Sequence, residues 1–365
     1  MRAHTFLAIP LLAAACSGSG SGASVEREPV RAPFDRVGYA HDAPGFDKVL
    51  AEAARLEGAA AKGEARTDLG GGPFAAIVAP HDDYTYAARV ALHAFENLGA
   101  REVVLFGVAH HAKDFPASEG KLVFDAFGAW HGPYGDVPIS ELREDLLAAL
   151  GPDDAFVSDA MHAGEHSLEG LVPFAQNRVR DVRIVPILVP YMSIARLAEL
   201  ADRTGAALAG AMKKRKLALG RDVAIVVSSD MVHYGDAGWK GKSFAELGTD
   251  GAAYDKAVAR DLSLIRDDLE GPIEKERLAA LYGALVKEDF REYRISWCGR
   301  FSVPFGLAAL RAAALSLGAP VPRGALLRYG TTLDPGAVDY GVKGMGATGP
   351  ANLHHWVGFA AIGYR

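Results

Sequence analysis

The chain has 365 residues, of which 50% are hydrophobic and 23% charged, a balance that supports a large packed core and excludes a disordered chain. Its 39 basic and 45 acidic residues leave a net charge of -6 with both signs dispersed. The one basic cluster, Lys213, Lys214, Arg215 and Lys216, is too short for a nucleic-acid surface and is expected in the last turn of a helix, where cations suit the negative end of the dipole.

Residues 1–16 read as an export segment. Arg2 opens a weakly basic stretch, Phe6 to Ala15 is apolar, and Cys16 follows three alanines. The apolar run falls short of the roughly 18 to 20 residues that span a bilayer. Cys16 stands where a bacterial lipoprotein carries its lipid-modified cysteine, although Leu12 lies one place further upstream than usual. The expectation is an exported protein of the cell envelope or periplasm with a lipid anchor at Cys16, and a plainly cleaved signal is the alternative. Residues 17–30, rich in Ser and Gly, read as a flexible tether. Residues 31–365 read as one α/β domain, and its single cysteine, Cys298, has no internal disulfide partner. It is an inert thiol, an intermolecular partner or a metal ligand.

Along the domain, Phe74 to Ala79, Glu102 to Val108, Val182 to Val189 and Asp222 to Val227 are short apolar runs that predict buried strands of a largely parallel sheet. Helical periodicity falls between them, over Arg89 to Leu98, Glu141 to Leu150 and Ile194 to Met212. The alternation predicts a three-layer α/β sandwich with helices on both faces, and no repeat suggests a solenoid.

Three of the predicted strands run out into histidines, at Pro80-His81-Asp82-Asp83, at Ala109-His110-His111 and at Ser228-Ser229-Asp230-Met231-Val232-His233. In an open parallel sheet the carboxyl ends share one edge, which is where ligands bind, so these imidazoles are expected to converge. A metal ion is the simplest reason for convergence, with Asp82, Asp83 and Asp230 as candidate acceptors for the far ring nitrogens.

At these residues the sequence resembles the Memo family, also called AmmeMemoRadiSam system protein B. The resemblance rests on Ala79-Pro80-His81 with Tyr84-Thr85-Tyr86, Gly107-Val108-Ala109-His110-His111, Glu165-His166-Ser167-Leu168-Glu169 with Pro173-Phe174, Ile184 to Val189, Ser228-Ser229-Asp230 with His233-Tyr234-Gly235, and Cys298-Gly299-Arg300. It implies a fold like that of class III extradiol dioxygenases, with His81, His110 and Cys298 as metal ligands. Iron is the ion first expected, with copper or zinc as alternatives. It also implies a catalytic acid/base at His233, with His166 and Asp230 lining the pocket. Thiolate in place of the dioxygenase carboxylate suits softer ions and puts inherited ring cleavage in question.

The sequence departs from the family where Pro-His-Ala-Gly-Tyr becomes Pro80-His81-Asp82-Asp83-Tyr84, and where Gly38-Tyr39-Ala40-His41 replaces an aromatic N-terminal segment. His93 is expected on an ordinary helix surface or half-buried, His354 and His355 in a loop, His111 beside the pocket, and His131 either at the pocket or in a plain turn. Arg300 could hold an anionic substrate or bond to nearby carbonyls. Gly344-Met345-Gly346-Ala347-Thr348-Gly349 spells a dinucleotide-loop string, yet Pro350 follows at once and a plain loop is expected. Three functions follow: a metal-dependent oxidoreductase acting on a small molecule, a non-catalytic module binding metal or peptide at the envelope, and a zinc hydrolase.

Overall fold

Four short apolar segments make the centre of the molecule: Ala76–Ala79 (β1), Glu102–Val108 (β2), Arg183–Val189 (β5) and Val223–Ser228 (β6). They lie side by side in the order β1-β6-β2-β5, all parallel. Each is the core of a strand expected from the sequence. In this computed structural model residues 29–58, 69 and 71–365 are described; the export segment, Cys16 and the tether up to residue 28 lie outside them.

Among the described residues the sheet has ten strands. Leu122–Phe124 (β3) joins β5 antiparallel, and Ala155–Val157 (β4) extends that edge. On the other side Trp356–Tyr364 (β10) lies antiparallel to β1, followed by Arg323–Thr331 (β9) and Gly271–Pro272 (β8), while His233–Tyr234 (β7) pairs with β10. The sheet is therefore mixed: its four central strands are parallel, and β3 and β4 form a further parallel pair at one edge. The expectation of a largely parallel sheet is corrected by β9 and β10, which run antiparallel along the β1 edge.

Alternate side chains of the central strands enter two separate cores, as the two-residue repeat of a strand requires. Ala76, Val78, Val104 and Phe106 face one core with Leu142–Leu150 (α3), Ile194–Arg215 (α6), Gly251–Leu264 (α7), Lys275–Leu285 (α8) and Ser302–Leu317 (α9). Ile77, Ala79, Val103 and Leu105 face the other with Ala43–Glu57 (α1), Tyr84–Phe95 (α2), Asp159–Ala163 (α4) and Val172–Arg178 (α5). The three layers are helix, sheet and helix.

Local signals set the helix ends. Ser193 caps α6 by accepting the Arg196 N–H, and Lys216 stops it at φ 59° after the basic last turn. α2 starts at Tyr84, five residues before the predicted Arg89, because Tyr84 to Ala88 are buried all round and show no amphipathic period. Where α6 crosses α9, Gly205 lets the backbones meet: a Cβ there would lie 2.4 Å from the Ala309 carbonyl oxygen.

Candidate metal centre

The shared carboxyl edge of the parallel strands carries His81 just past β1, Asp230 just past β6 and His110 just past β2. Because β6 lies between β1 and β2, the topology alone puts Asp230 between the two imidazoles. Cys298 arrives from far along the chain. Its segment pairs with the start of β7 through the Val232–Trp297 bridge, and the His233 N–H donates to the Ser296 carbonyl at 3.1 Å. Gly299 permits this approach, since a Cβ there would stand 2.1 Å from Ser229 Oγ.

His81, His110 and Cys298 lie together, with ligand-capable atoms all within 4.8 Å of one another. Cys298 Sγ is 3.8 Å from His81 Nε2, close to the ~3.6 Å that a sulfur and a nitrogen keep when both bind one tetrahedral ion. His110, Glu165 and His166 form a second such group, and Asp230, His233 and Cys298 a third.

The hydrogen bonds fix which ring nitrogens are free. Ser228 Oγ donates its one proton to the Ser167 carbonyl and lies 2.7 Å from His81 Nδ1, so Nδ1 must carry the hydrogen. The His81 Nε2 lone pair then points toward Cys298. At His110, Nδ1 donates to Glu165 Oε1 at 2.8 Å; burial lowers its pKa but Glu165 raises it more, so Nε2 becomes a lone-pair atom once the ring gives up its second proton. Glu165 also accepts the N–H groups of His110, His166 and Ser167. Burial alone would raise its pKa, but the attraction of His110 and these donors outweigh burial and hold it below the usual carboxylate range. An ionised carboxylate holding the far nitrogen of an imidazole is the arrangement of a metal-ligating histidine.

The acceptors expected for the imidazoles are thus corrected. Asp82 and Asp83 hold neither ring, and Asp230 Oδ1 instead accepts the backbone N–H groups of His81 and Asp82. Glu165 and Ser228 do the work because the rings turn their Nδ1 edges toward the neighbouring strand ends and the segment before α5. Both residues stood in the quoted motifs, where their adjacency to His166 and Asp230 was the available signal.

Asp230 Oδ2 sits 3.4 Å from His81 Nε2 and 4.0 Å from Cys298 Sγ. Burial raises its pKa to about 7, against donation from the His81 N–H. Burial, followed by the charge of Asp230, raises the Cys298 thiol well above its ordinary value. Cys298 is therefore a thiol until a cation compensates it, as coupling of metal binding to proton release requires. His166 stacks on His110 with centroids 4.6 Å apart and is lowered to about 4, first by burial and then by His110. His233 is lowered to about 4 by burial and then His110; its Nδ1 lies 3.1 Å from the Ser296 carbonyl, and one ring nitrogen lies within 4.8 Å of ligand-capable atoms of Asp230 and Cys298.

The remaining candidates fall elsewhere. His93 is buried, not at the surface, and joins Arg89 and Arg328 around Glu57, because the α2 face carrying it packs on α1 and β9. His111 and His131 are exposed, near Asp114 and the His41 carbonyl. His354 pairs with Asp236 in a loop, whereas His355 stacks on Trp239 at 3.8 Å. The Gly344 to Gly349 string is a loop, tied down by Thr348 donating to Asp83. Arg300 is buried, donates to the Arg291 carbonyl and lies 3.5 Å over the Tyr293 ring. Tyr39 of the divergent N-terminal segment donates its hydroxyl to the His81 carbonyl.

Asp261 was missed by sequence reasoning. Its carboxylate accepts the Val232 N–H, the Trp297 indole N–H and the Tyr329 hydroxyl, tying the Asp230–His233 segment to the Cys298 segment. The signal was there: Ala253, Ala257 and Asp261 share the buried stripe of α7.

Fold and site together define a layered α/β protein with a candidate metal centre at its strand edge. A family model described as Memo-like protein matches residues 53–342, and the chain belongs to that family. It is 35% identical over 164 residues to a MEMO1 family protein of Aquifex aeolicus, covering 44% of this chain and 54% of the relative. It is 32% identical over 189 residues to one of Methanothermobacter thermautotrophicus, covering 51% and 61%. A third, of Methanopyrus kandleri, is 28% identical over 295 residues, covering 79% and 82%. The chain thus spans a little over half the length of the first of these curated relatives.

Proposed function

We propose that this protein binds one metal ion through His81, His110 and Cys298 and uses it as an oxidoreductase on a small molecule, in a pocket resembling that of class III extradiol dioxygenases. The observation that carries this reading is the pair of Nε2 lone pairs, each fixed by a hydrogen bond at Nδ1, beside a thiol 3.8 Å from one of them. A bound iron or copper ion would supply redox chemistry and Lewis acidity; zinc would supply Lewis acidity alone. His233 is the proton-moving group, because the Ser296 carbonyl lies 3.1 Å from its Nδ1 and the ring offers a nitrogen within 4.8 Å of Asp230 and Cys298. His166 and Asp230 shape the same pocket.

Protein purified and loaded with Fe(II) without oxygen should consume oxygen when given catechol-type substrates. His233→Ala should abolish that consumption and still hold the ion. Loss of the ion in this variant would make His233 a ligand and overturn its assignment.

A second reading is a non-catalytic module that holds metal, or a peptide in the same cleft. Asp230 Oδ2, 3.4 Å from His81 Nε2, favours it, since a fourth ligand would close the coordination sphere. High affinity with no oxygen uptake supports this alternative, and zinc in the purified protein would favour hydrolysis. Export to the envelope, with acylation at Cys16, is part of the proposal. Mass spectrometry of the mature N-terminus tests it.

A further inference from the structure

Val30 and Arg31 pair in parallel with Ala129 and Trp130 and carry the N-terminal segment across the loop that follows α4. Arg31 is only 2% exposed, although its guanidinium is always charged. The guanidinium lies 4.2 Å over the Trp130 ring, and each of its nitrogens has an acceptor. Nε donates to the His162 carbonyl at 2.9 Å, one Nη to the Glu165 carbonyl and the other to Glu169 Oε2 at 2.7 Å. The same Glu169 carboxylate accepts the N–H groups of Phe34 and Asp35.

Glu165 is thereby gripped at both ends. Its carboxylate accepts the ring Nδ1–H and the backbone N–H of His110, while its main-chain carbonyl accepts from Arg31. One residue therefore separates the buried guanidinium from a proposed metal ligand. The same segment also reaches the other imidazole: the Tyr39 hydroxyl donates to the His81 carbonyl, and its ring packs so closely on Gly170 that a Cβ there would lie 2.8 Å from it.

The planar fork of a guanidinium can satisfy two carbonyls and a carboxylate at once, which an ammonium on a flexible stem cannot. Without it, the His162 and Glu165 carbonyls and Glu169 are left short of donors in a buried place, and the loop must shift to recover them. We infer that Arg31 is a positioning residue of the metal centre: it fixes the main chain of Glu165 and, through the Glu165 carboxylate, the ring of His110. This rests on the metal-centre reading. An arginine that only fastened the N-terminal segment to the body would change stability and leave the centre alone.

The test is Co(II) affinity of the full chain, by competition with a chromophoric chelator, for the unaltered protein, Arg31→Met, Arg31→Lys and Gly205→Ala. The last is a control destabilised at the contact of α6 with α9, away from the centre. Arg31→Met should bind Co(II) at least about tenfold more weakly, the lower end of what losing an outer-shell partner costs. Arg31→Lys, which keeps the charge without the fork, should lose part of that affinity, and Gly205→Ala none despite a lower melting temperature. In metal-free protein with isotopically labelled histidine, the His110 Nδ1–H proton, identified by its loss in His110→Ala, should exchange with water faster in Arg31→Met than in the unaltered chain. Unchanged affinity in both Arg31 variants, or a loss in Gly205→Ala equal to that in Arg31→Met, would overturn the inference. If Arg31→Met does not fold, as judged by circular dichroism, Arg31→Lys decides. Should the unaltered chain take up no Co(II), the metal-centre reading falls and the exchange rate alone judges Arg31, whereas uptake that Arg31→Met leaves unchanged sinks only this inference.

Discussion

His110 and Glu165, 55 residues apart, are joined by two hydrogen bonds, ring to Oε1 at 2.8 Å and backbone N–H to Oε2 at 2.7 Å. This double contact sets both the position of the imidazole and its tautomer. Glu165→Gln keeps the shape but removes the charge that holds Nδ1–H. Metal affinity is expected to fall by about 10 to 100-fold, read by competition with a chromophoric chelator, with little change in melting temperature. Unchanged affinity would remove His110 from the ligand set.

Cys298→Ser tests the sulfur. With Co(II) as a spectroscopic probe, the unaltered protein should show an intense near-ultraviolet thiolate-to-cobalt band, and the variant should lack it. Because the buried thiol resists ionisation, the band should appear together with release of a proton. A band that survives the substitution would place the ion elsewhere.

Buried His162 gives a pH prediction independent of any metal. Its Nε2 donates to the Val123 carbonyl, Nδ1 has no partner, and burial first, then Arg31 nearby, lowers its pKa to about 4. The unfolded chain takes up this proton near pH 6.5 and the folded chain only near 4, so stability is full above 6.5 and falls as pH drops through that window. The loss integrates to about 3 kcal/mol. Chemical denaturation of His162→Phe, compared with the unaltered protein at pH 7 and pH 4.5, should show a shallower pH dependence. An unchanged slope would contradict the assignment.

Gly205 sets two effects against each other. Alanine is better than glycine inside a helix by about 1 kcal/mol, yet a methyl at this place meets the Ala309 carbonyl at 2.4 Å and Ala312 Cβ at 2.6 Å. Neither backbone can move cheaply, so overpacking wins. Gly205→Ala should lose about 1–3 kcal/mol of stability in denaturant titration. A stabilised variant would mean that α6 and α9 are further apart.

Asp261→Asn puts an amide NH₂ among three donors. The indole N–H of Trp297, the N–H of Val232 and the Tyr329 hydroxyl all point at the carboxylate, so one donor must lose its acceptor at a cost of about 1–3 kcal/mol. Thermal unfolding should show the loss. The cobalt spectrum of the variant should broaden as the Cys298 segment loosens from the Asp230 segment, whereas an identical spectrum would make Asp261 purely structural.

The central strands could be read from the chain because each is an unbroken apolar run, and a strand buried on both faces leaves that trace whatever surrounds it. His81, His110 and Asp230 were legible for a related reason: they follow those runs directly, and parallel strands share a carboxyl edge. The antiparallel strands β9 and β10 escaped, since Arg323–Thr331 alternates through an irregular pairing at Leu326 and Arg328 and Trp356–Tyr364 has no turn that fixes its neighbour. The first turn of α2 escaped too, because residues buried on every side carry no period.

What the amino-acid sequence determined by itself was the layered class, the strand edge and the residue types that reach it. Only the tertiary structure decided which nitrogen of each imidazole is free, because that depends on Ser228 and Glu165 approaching from other elements. It also decided that Cys298 reaches the edge, through the pairing of its segment with β7. Hydrogen-bond partners distant in sequence leave no periodic trace; they exist only once the chain has folded.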